Sequence, residues 1–467
     1  MASDITEAQK AFMGEIEDKV NQLLSSKLDG KFQMVNYPSG FNWSVQFGPN
    51  NYYNQKALNE IDLTTDIASN DILTLGSSNF SNLYNQILNT TTYVISEADN
   101  KIIQQEEQTA SSQISSVITE WETGMGAPIT DEMMKEAIPP TKLGYIEMQV
   151  QEKWDGDIRK IPNSLAGFKN AYQSYQVAAS QSNTILSRSA QAGIQLKASM
   201  TNTENAETTN GGMQTGASTY YVGFGGIPAQ NMINSGLQTE SNKVSVSLFL
   251  SEFSSTESKL NISGKAGIRV PIMSFMSISL GGSAEYDLSK YTSSSSSLDI
   301  AINYPGITTI GSAPSNLSKE GKTGWYDNQI LKEAVANAGK GTSVTGFQIQ
   351  GSEFPIPDYF GPGKEFSRLK TFVISQEPTI SMTFKDANND KVKSDFKQNA
   401  SAKVKLFGLF DIGSVSESYE VHNIDENTQE GTVTVTLGPP KSIGTTPAQD
   451  STAYVVGGVA SYPPNSI

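Results

Sequence analysis

The chain carries a single histidine, His422 in the run EVHNID, and no cysteine. Thiolate nucleophiles, disulfides, Cys-ligated zinc and iron–sulfur clusters are therefore excluded, and zinc sites built on several histidines are out of reach. A Ser-His-Asp triad would have only His422 to draw on, and no G-x-S-x-G elbow presents a serine to it. Carboxylate-only hydrolysis needs two acids flanking a substrate. The close pairs Asp155 with Asp157 and Glu417 with Glu420 supply the residue type but read as solvated surface acids. The stretch KDANNDKVKSD, with Asp386, Asn388, Asn389 and Asp390, begins like a calcium loop. It lacks the glycine and the closing glutamate of that loop and predicts a polar hairpin turn instead. AGKGTSVTG fails the phosphate-loop pattern because Gly341 follows Lys340, and no G-x-G-x-x-G follows a strand. The expectation is a non-enzymatic protein with no metal site and no cofactor, and a carboxylate-based carbohydrate-active enzyme is the enzymatic alternative left open.

Bulk properties narrow the partners. The 467 residues include 33 Lys and Arg against 48 Asp and Glu, for a net charge of −15 and a pI near 4.7. Phosphate backbones are bound by clustered Lys and Arg, so no nucleic-acid partner is expected. The length exceeds what one hydrophobic core sustains and predicts two or more domains. The N-terminus lacks the basic and apolar regions of a Sec signal, and no run reaches the ~18–20 apolar residues of a spanning helix. The expected location is the cytoplasm, or export by a signal-independent route.

Long helices dominate the first 200 residues. Ile5, Ala8, Phe12, Ile16, Val20 and Leu23 share one helical face, with Thr6 and Gln9 at capping-box spacing. Residues 31–62 hold Phe32, Tyr37, Phe41, Trp43, Phe47, Tyr52 and Tyr53 around the turns YPSG and GPNN, which predicts short strands and a hairpin. The series from Phe80 to Trp121 predicts one helix or two end-to-end helices, closed by GMGAP and by Pro139 and Pro140. Ile146, Met148 and Val150 alternate with Glu147 and Gln149 as a strand would. A further long helix has the seam Leu165, Phe168, Tyr172, Tyr175, Ala179, Ser182, Leu186, Ser189 and Gly193.

Residues 201–218 have almost no large apolar side chain and read as a polar linker or mobile loop. Beyond them the period changes to two. A first β unit is expected over 219–316 and a second over 376–467, separated by an insertion, 317–375. The insertion holds a helix in DNQILKEAVANAG, ended by Gly339, and a rigid surface loop in FPIPDYFGPGKEF. Lys259, Asn261, Ser263 and Lys265 recur as Lys397, Asn399, Ser401 and Lys403 at a shift of 138. Tyr286, Ile310, Gly311 and Pro314 recur as Tyr419, Ile443, Gly444 and Pro447 at 133. Leu298, Ile300, Ile302 and Tyr304 meet Gly431, Val433, Val435 and Leu437 at the same shift of 133. The fold class is therefore α+β: an N-terminal long-helix bundle with a small β element, then a C-terminal all-β region of two related, duplicated β units.

What remains distinctive is physical. Ile268, Val270, Ile272, Met276, Ile278 and Leu280, with Val404, Leu406, Phe410 and Ile412 in the second copy, mark amphipathic strands among small polar residues. A membrane barrel needs such strands, about 9–11 residues long, with edges closed by oligomerisation. The expected function is a pore-forming, toxin-like protein that self-associates into a homo-oligomer and inserts these hairpins into a lipid membrane. The competing expectation is a structural or assembly subunit of a fibre, shell or secretion-associated particle. For the strands alone, a sandwich with one buried and one wet face also suffices.

Overall fold

The computed structural model describes residues 2–465 except 37–40, 43–45, 48–49, 51, 68–72, 240, 255, 266, 281–287, 400, 408–409, 413–418 and 440–451. The turn YPSG with Tyr37, most of GPNN, Trp43, Tyr286, Glu417, Ile443, Gly444 and Pro447 lie outside the described residues. The fold is α+β, in two compact units. One comprises Met1–Ser77, Gly226–Ala313 and Ser367–Ser461, the other Ser78–Gly225, Pro314–Phe366 and Tyr462–Ile467. The chain thus divides at Gly225, after the polar stretch 201–218, and residues 1–77 fold with the sheets rather than with the helices.

The sheet unit contains α1 (Ala2–Leu24), α2 (Gln55–Ile61), α10 (Gln230–Gln238), α11 (Ile272–Phe275) and α14 (Asn389–Gln398). Its seven-stranded sheet consists, in spatial order, of β16 (Ile307–Gly311), β19 (Arg368–Ser375), β5 (Leu63–Ile67), β6 (Leu73–Asn79), β1 (Gln33–Asn36), β25 (Thr452–Ser461) and β2 (Phe41–Asn42). A hairpin of β3 (Gln46–Phe47) and β4 (Tyr52–Tyr53) lies nearby in sequence. The ten-stranded sheet follows the order β13 (Ile268–Pro271), β12 (Glu257–Ile262), β11 (Val244–Ser251), β15 (Ser297–Tyr304), β20 (Thr379–Lys385), β24 (Thr432–Gly438), β23 (Tyr419–Asn427), β21 (Ser401–Leu406) and β14 (Met276–Leu280). β22 (Phe410–Ile412) pairs with β21 off this path. Strands of both sequence copies therefore share the ten-stranded sheet, and β16 and β25 join the seven-stranded one, so the copies do not form two separate β units.

That sheet has to curl. Nine strands spaced ~4.8 Å apart would hold the first and last about 38 Å apart if flat. Yet β13 and β14 are consecutive in the chain, joined only by the four residues of α11. Five Cα steps of 3.8 Å span at most ~19 Å, so the ends must approach one another. The Phe407 amide, just past β21, donates to the Phe275 carbonyl of α11 at 2.6 Å and fastens the closing turn.

Register makes the roll two-faced. Leu260, Leu250, Leu298, Phe384 and Val433 stand opposite one another across five strands, and Ile262, Leu248, Ile300, Met382 and Val435 form the next row. All are buried on the inner face. A one-residue slip would turn each row to solvent, so burial fixes the pairing. α1 docks on this face with Ala8, Phe12, Ile16 and Val20, each fully buried, as its three-and-four spacing predicts. The expected capping box does not form, because the helix begins at Ala2 and Gln9 Nε2 instead donates to the Phe407 carbonyl at 3.2 Å.

The second unit is mainly helical: α3 (Phe80–Asn89), α4 (Glu97–Thr109), α5 (Ser111–Met125), α6 (Asp131–Met134), α7 (Lys142–Trp154), α8 (Ala166–Ala178), α9 (Ser180–Glu204), α12 (Asn328–Asn337) and α13 (Ile356–Tyr359). It also holds two small strand pairs, β7 (Thr91–Val94) with β18 (Gly346–Ile349) and β8 (Met213–Gln214) with β9 (Tyr220–Tyr221). β10 (Phe224–Gly225) and β17 (Ala313–Pro314) mark passages of the chain between the units.

The structure departs from five local expectations. The series from Phe80 to Trp121 is three helices interrupted by β7, because the run Thr90, Thr91 and Thr92 is β-branched and Ser96 starts α4 afresh by accepting from Asp99 N at 3.1 Å. Residues 146–150 are helix, capped by Thr141, which accepts from Gly144 N at 3.0 Å. The seam from Leu165 is divided between α8 and α9 at Ala179, whose backbone leaves the helical region. Residues 201–218 are ordered by their own polar groups: Gly212 N donates to Glu207 O at 2.7 Å and Asn210 Nδ2 to Asn205 O at 2.7 Å. The loop after Phe354 is anchored rather than superficial, since Phe366 is fully buried and stacks on Phe80 at 4.6 Å.

Candidate functional site

The strand residues singled out in the sequence lie on the inner face of the roll. Val270, Ile272, Met276, Ile278, Leu280, Val404 and Leu406 are buried, and Ile268 is half-buried against the same core. Phe410 and Ile412 are in β22, opposite Leu406 and Val404, and their side chains lie outside the described residues. Residues 268–280 do not form one long strand. Pro271 ends β13, α11 intervenes, and β14 resumes at Met276, leaving strands of four and five residues. Each is too short to span a bilayer, which takes about 9–11 residues.

The longer central strands carry the two-faced character instead. The outward positions of β11, β15, β20 and β24 are mostly Ser, Thr and Asn, with Asp299 and Lys385 as the charged residues. Hydroxyls pair across the strands: Thr383 Oγ1 lies 2.9 Å from Thr434 Oγ1, and Ser245 Oγ donates to Asn303 Oδ1 at 2.7 Å. Partial burial pushes the Asp299 carboxyl above its usual range, against the opposing effect of Lys385. In a chain of net charge −15, four adjacent strands with so neutral an outer face stand apart.

A second polar cluster lies inside the helical unit, and the sequence reading missed it. Glu147 on α7 is 1% exposed. Its Oε2 accepts from Tyr172 OH of α8 at 2.6 Å and from Ser187 Oγ of α9 at 3.1 Å, and its Oε1 accepts from Asn183 Nδ2 of α9 at 2.7 Å. Burial outweighs these three donors and pushes the carboxyl up to about 7. The signal was an acid on an apolar helical face, beside Leu143, Ile146 and Val150, facing the polar lane Asn183, Ser187, Gln191 and Gln195 spaced by four. Reading 146–150 as a strand put Glu147 on a wet face and hid it.

The remaining sequence candidates that are described take part in local contacts. His422 on β23 shares a hydrogen bond of 2.8 Å with the Pro439 carbonyl. Asp157 pairs with Arg159 at 2.8 Å, and Asp155 pairs with Lys160. The KDANND stretch is not a hairpin turn, because Asn388 caps α14, which buries Val392 and Phe396. Among the described residues, no group of three or more His, Cys, Asp or Glu is placed to hold a metal ion. No described helix is long and apolar enough to cross a membrane. Comparison with known proteins finds no matching family model, no matching curated protein and no matching solved structure.

Proposed function

We propose that this is a membrane-active, pore-forming protein that self-associates and inserts amphipathic β-strands into a lipid bilayer. The observation that supports it is the central part of the roll, β11, β15, β20 and β24, apolar within and nearly neutral without, on a core that the amphipathic helix α1 covers in part. A barrel wall in a membrane needs an apolar lipid face, a polar lumen face and no free edges. β11, β15, β20 and β24, of seven or eight residues, come nearest to the required length. In this reading α1 leaves the sheet, the apolar face meets lipid, and neighbouring copies close the wall.

Dye-loaded vesicles test the reading. Release at about micromolar protein is expected, that being an ordinary range for specific association. Vesicles that stay intact across lipid compositions and pH would refute it. Negative-stain images should show rings on lipid alone, whereas regular polymers in buffer would put the assembly-subunit reading in its place.

A further inference from the structure

Three features single out the region around Glu147. The carboxyl is enclosed by α7, α8 and α9, and every donor that reaches it is neutral. No cation offsets it among the described residues. From α5 and the start of α7, Glu122 and Lys142 pair with each other at 2.7 Å. Beyond the C-terminus of α7, Arg159 and Lys160 are taken by Asp157 and Asp155. On α6, Asp131 and Glu132 are exposed, with Glu132 facing Lys135. On α9, Lys197 faces Glu136, and Arg188 acts on Tyr93 and Glu333. From α4 come two more acids, Glu106, which accepts from Ser182 N at 2.8 Å, and half-buried Glu107.

Second, the hydroxyls of Tyr175 and Ser182 are buried beside the cluster without a completed hydrogen bond. They are near enough to influence each other. Such groups cost stability and leave an interface marginal. Third, a polar lane leads outward. Gln151 is one turn along α7 from Glu147, Gln191 is one turn along α9 from Ser187, and the two amides are hydrogen-bonded. Both line a cleft of about 410 Å³ that opens beside Lys319 and Lys322.

We propose that Glu147 is a proton-binding switch of the helical unit, locking α7 against α8 and α9 when protonated and loosening them when ionised, with the cleft lined by Gln151 and Gln191 as its opening to solvent. Protonated Glu147 keeps an acceptor for its neighbours and gains a donor, whereas the ionised form leaves a charge cut off from water with three neutral donors and no counter-ion. The sign follows from linkage. A carboxyl raised from 4.5 to about 7 gives stability that is complete below its unfolded value and lost as pH rises through the folded one. The effect on the unfolding equilibrium amounts to about 300-fold across that window.

The test compares the full chain with Glu147→Gln between about pH 5 and pH 9. Difference infrared spectroscopy should show a protonated-carboxyl band that disappears with a midpoint near neutrality and is missing in the variant. The urea midpoint of the helical unit should fall over the same range in the wild type and fall clearly less in the variant. A band titrating in the ordinary carboxylate range, or an equal slope in both proteins, would overturn the proposal. If Glu147→Gln does not fold, Ser187→Ala serves instead. It removes one donor to the ionised form and should move the band's midpoint to higher pH, and an unmoved midpoint would overturn the proposal equally.

Discussion

Replacing Phe12 by alanine attacks the seal between α1 and the roll. The ring is fully buried and lies 5.4 Å from the ring of Phe407, which in turn meets Phe275 at 5.2 Å. These three rings fill the place where α11 closes the sheet. Phe407 is held there from both sides of its backbone, by its bond to Phe275 and by the Gln9 amide. Such fixed neighbours cannot collapse into the space left by the ring, so the cost should fall toward the upper part of the ~3–5 kcal/mol typical of Phe→Ala in a core. At ~1.4 kcal/mol per factor of ten, the balance between docked and released α1 shifts by at least about a hundredfold.

Two assays read that shift. Urea unfolding should show a lower midpoint for the sheet unit while the helical unit is unchanged. Dye release from vesicles should begin at lower protein concentration than in the wild type, because α1 leaves more readily. Gln9→Ala is the milder control, since it removes one hydrogen bond of about 1 kcal/mol and keeps the ring. The order of release among the three proteins should follow the stability lost. A destabilised Phe12→Ala that releases dye no faster, or more slowly, would refute α1 as the cover of a membrane-seeking face.

Other predictions are simpler. Gly14 is in the middle of α1, and a Cβ there would meet nothing within 4 Å, so Gly14→Ala should stabilise the sheet unit by about 1 kcal/mol, seen as a higher urea midpoint. At Gly306 a Cβ would be 1.9 Å from the Leu237 carbonyl oxygen, so Gly306→Ala should destabilise by about 1–3 kcal/mol or more, and an unchanged midpoint would contradict the packing described. Lys265 pairs with Glu15 at 2.9 Å. Burial opposes ionisation of Glu15, but Lys265, Ser263 and Lys19 together hold its carboxyl below the usual range. The pair's contribution is therefore present above the ordinary carboxylate value and lost as pH falls through the depressed one. Lys265→Ala should unfold at lower urea than wild type near neutrality and converge with it in acid.

The sequence revealed structure wherever one period ran long enough. α1 was legible because Ala8, Phe12, Ile16 and Val20 repeat over four turns with a polar back. The segment 146–150 was misread because five residues fit either period; the deciding positions, Leu143 and the Thr141 cap, lay outside the window. α14 was hidden by the turn chemistry of Asn388 and Asn389, although Val392 and Phe396 are spaced for a helix. Strand partners were not legible, because alternation marks a face but names no neighbour. The same limit applied to the site. The inner-face residues were legible as a set, and Met273 and Phe275 interrupt their alternation where α11 lies, but that the two sides of the interruption go to the two ends of one sheet was not legible.

The duplication shows which part of a repeat the fold can hold constant. At the shift of 133, β15 corresponds to β24, and both keep their buried alternation. They flank β20 on opposite sides, so Ile300 and Val435 face the same Met382. At the shift of 138 the match fails structurally: Lys259 is in strand β12, whereas Lys397 is in the last turn of α14. The Asn388 cap and the Val392–Phe396 face impose a helix there that the first copy lacks. The repeated pair is thus organised around β20, a strand of the second unit that precedes its matched residues, which begin at Lys397. If the roll opens on a membrane, β15, β20 and β24 are the strands most strongly held in register, because a slip of any one of them would turn its apolar row away from both neighbours.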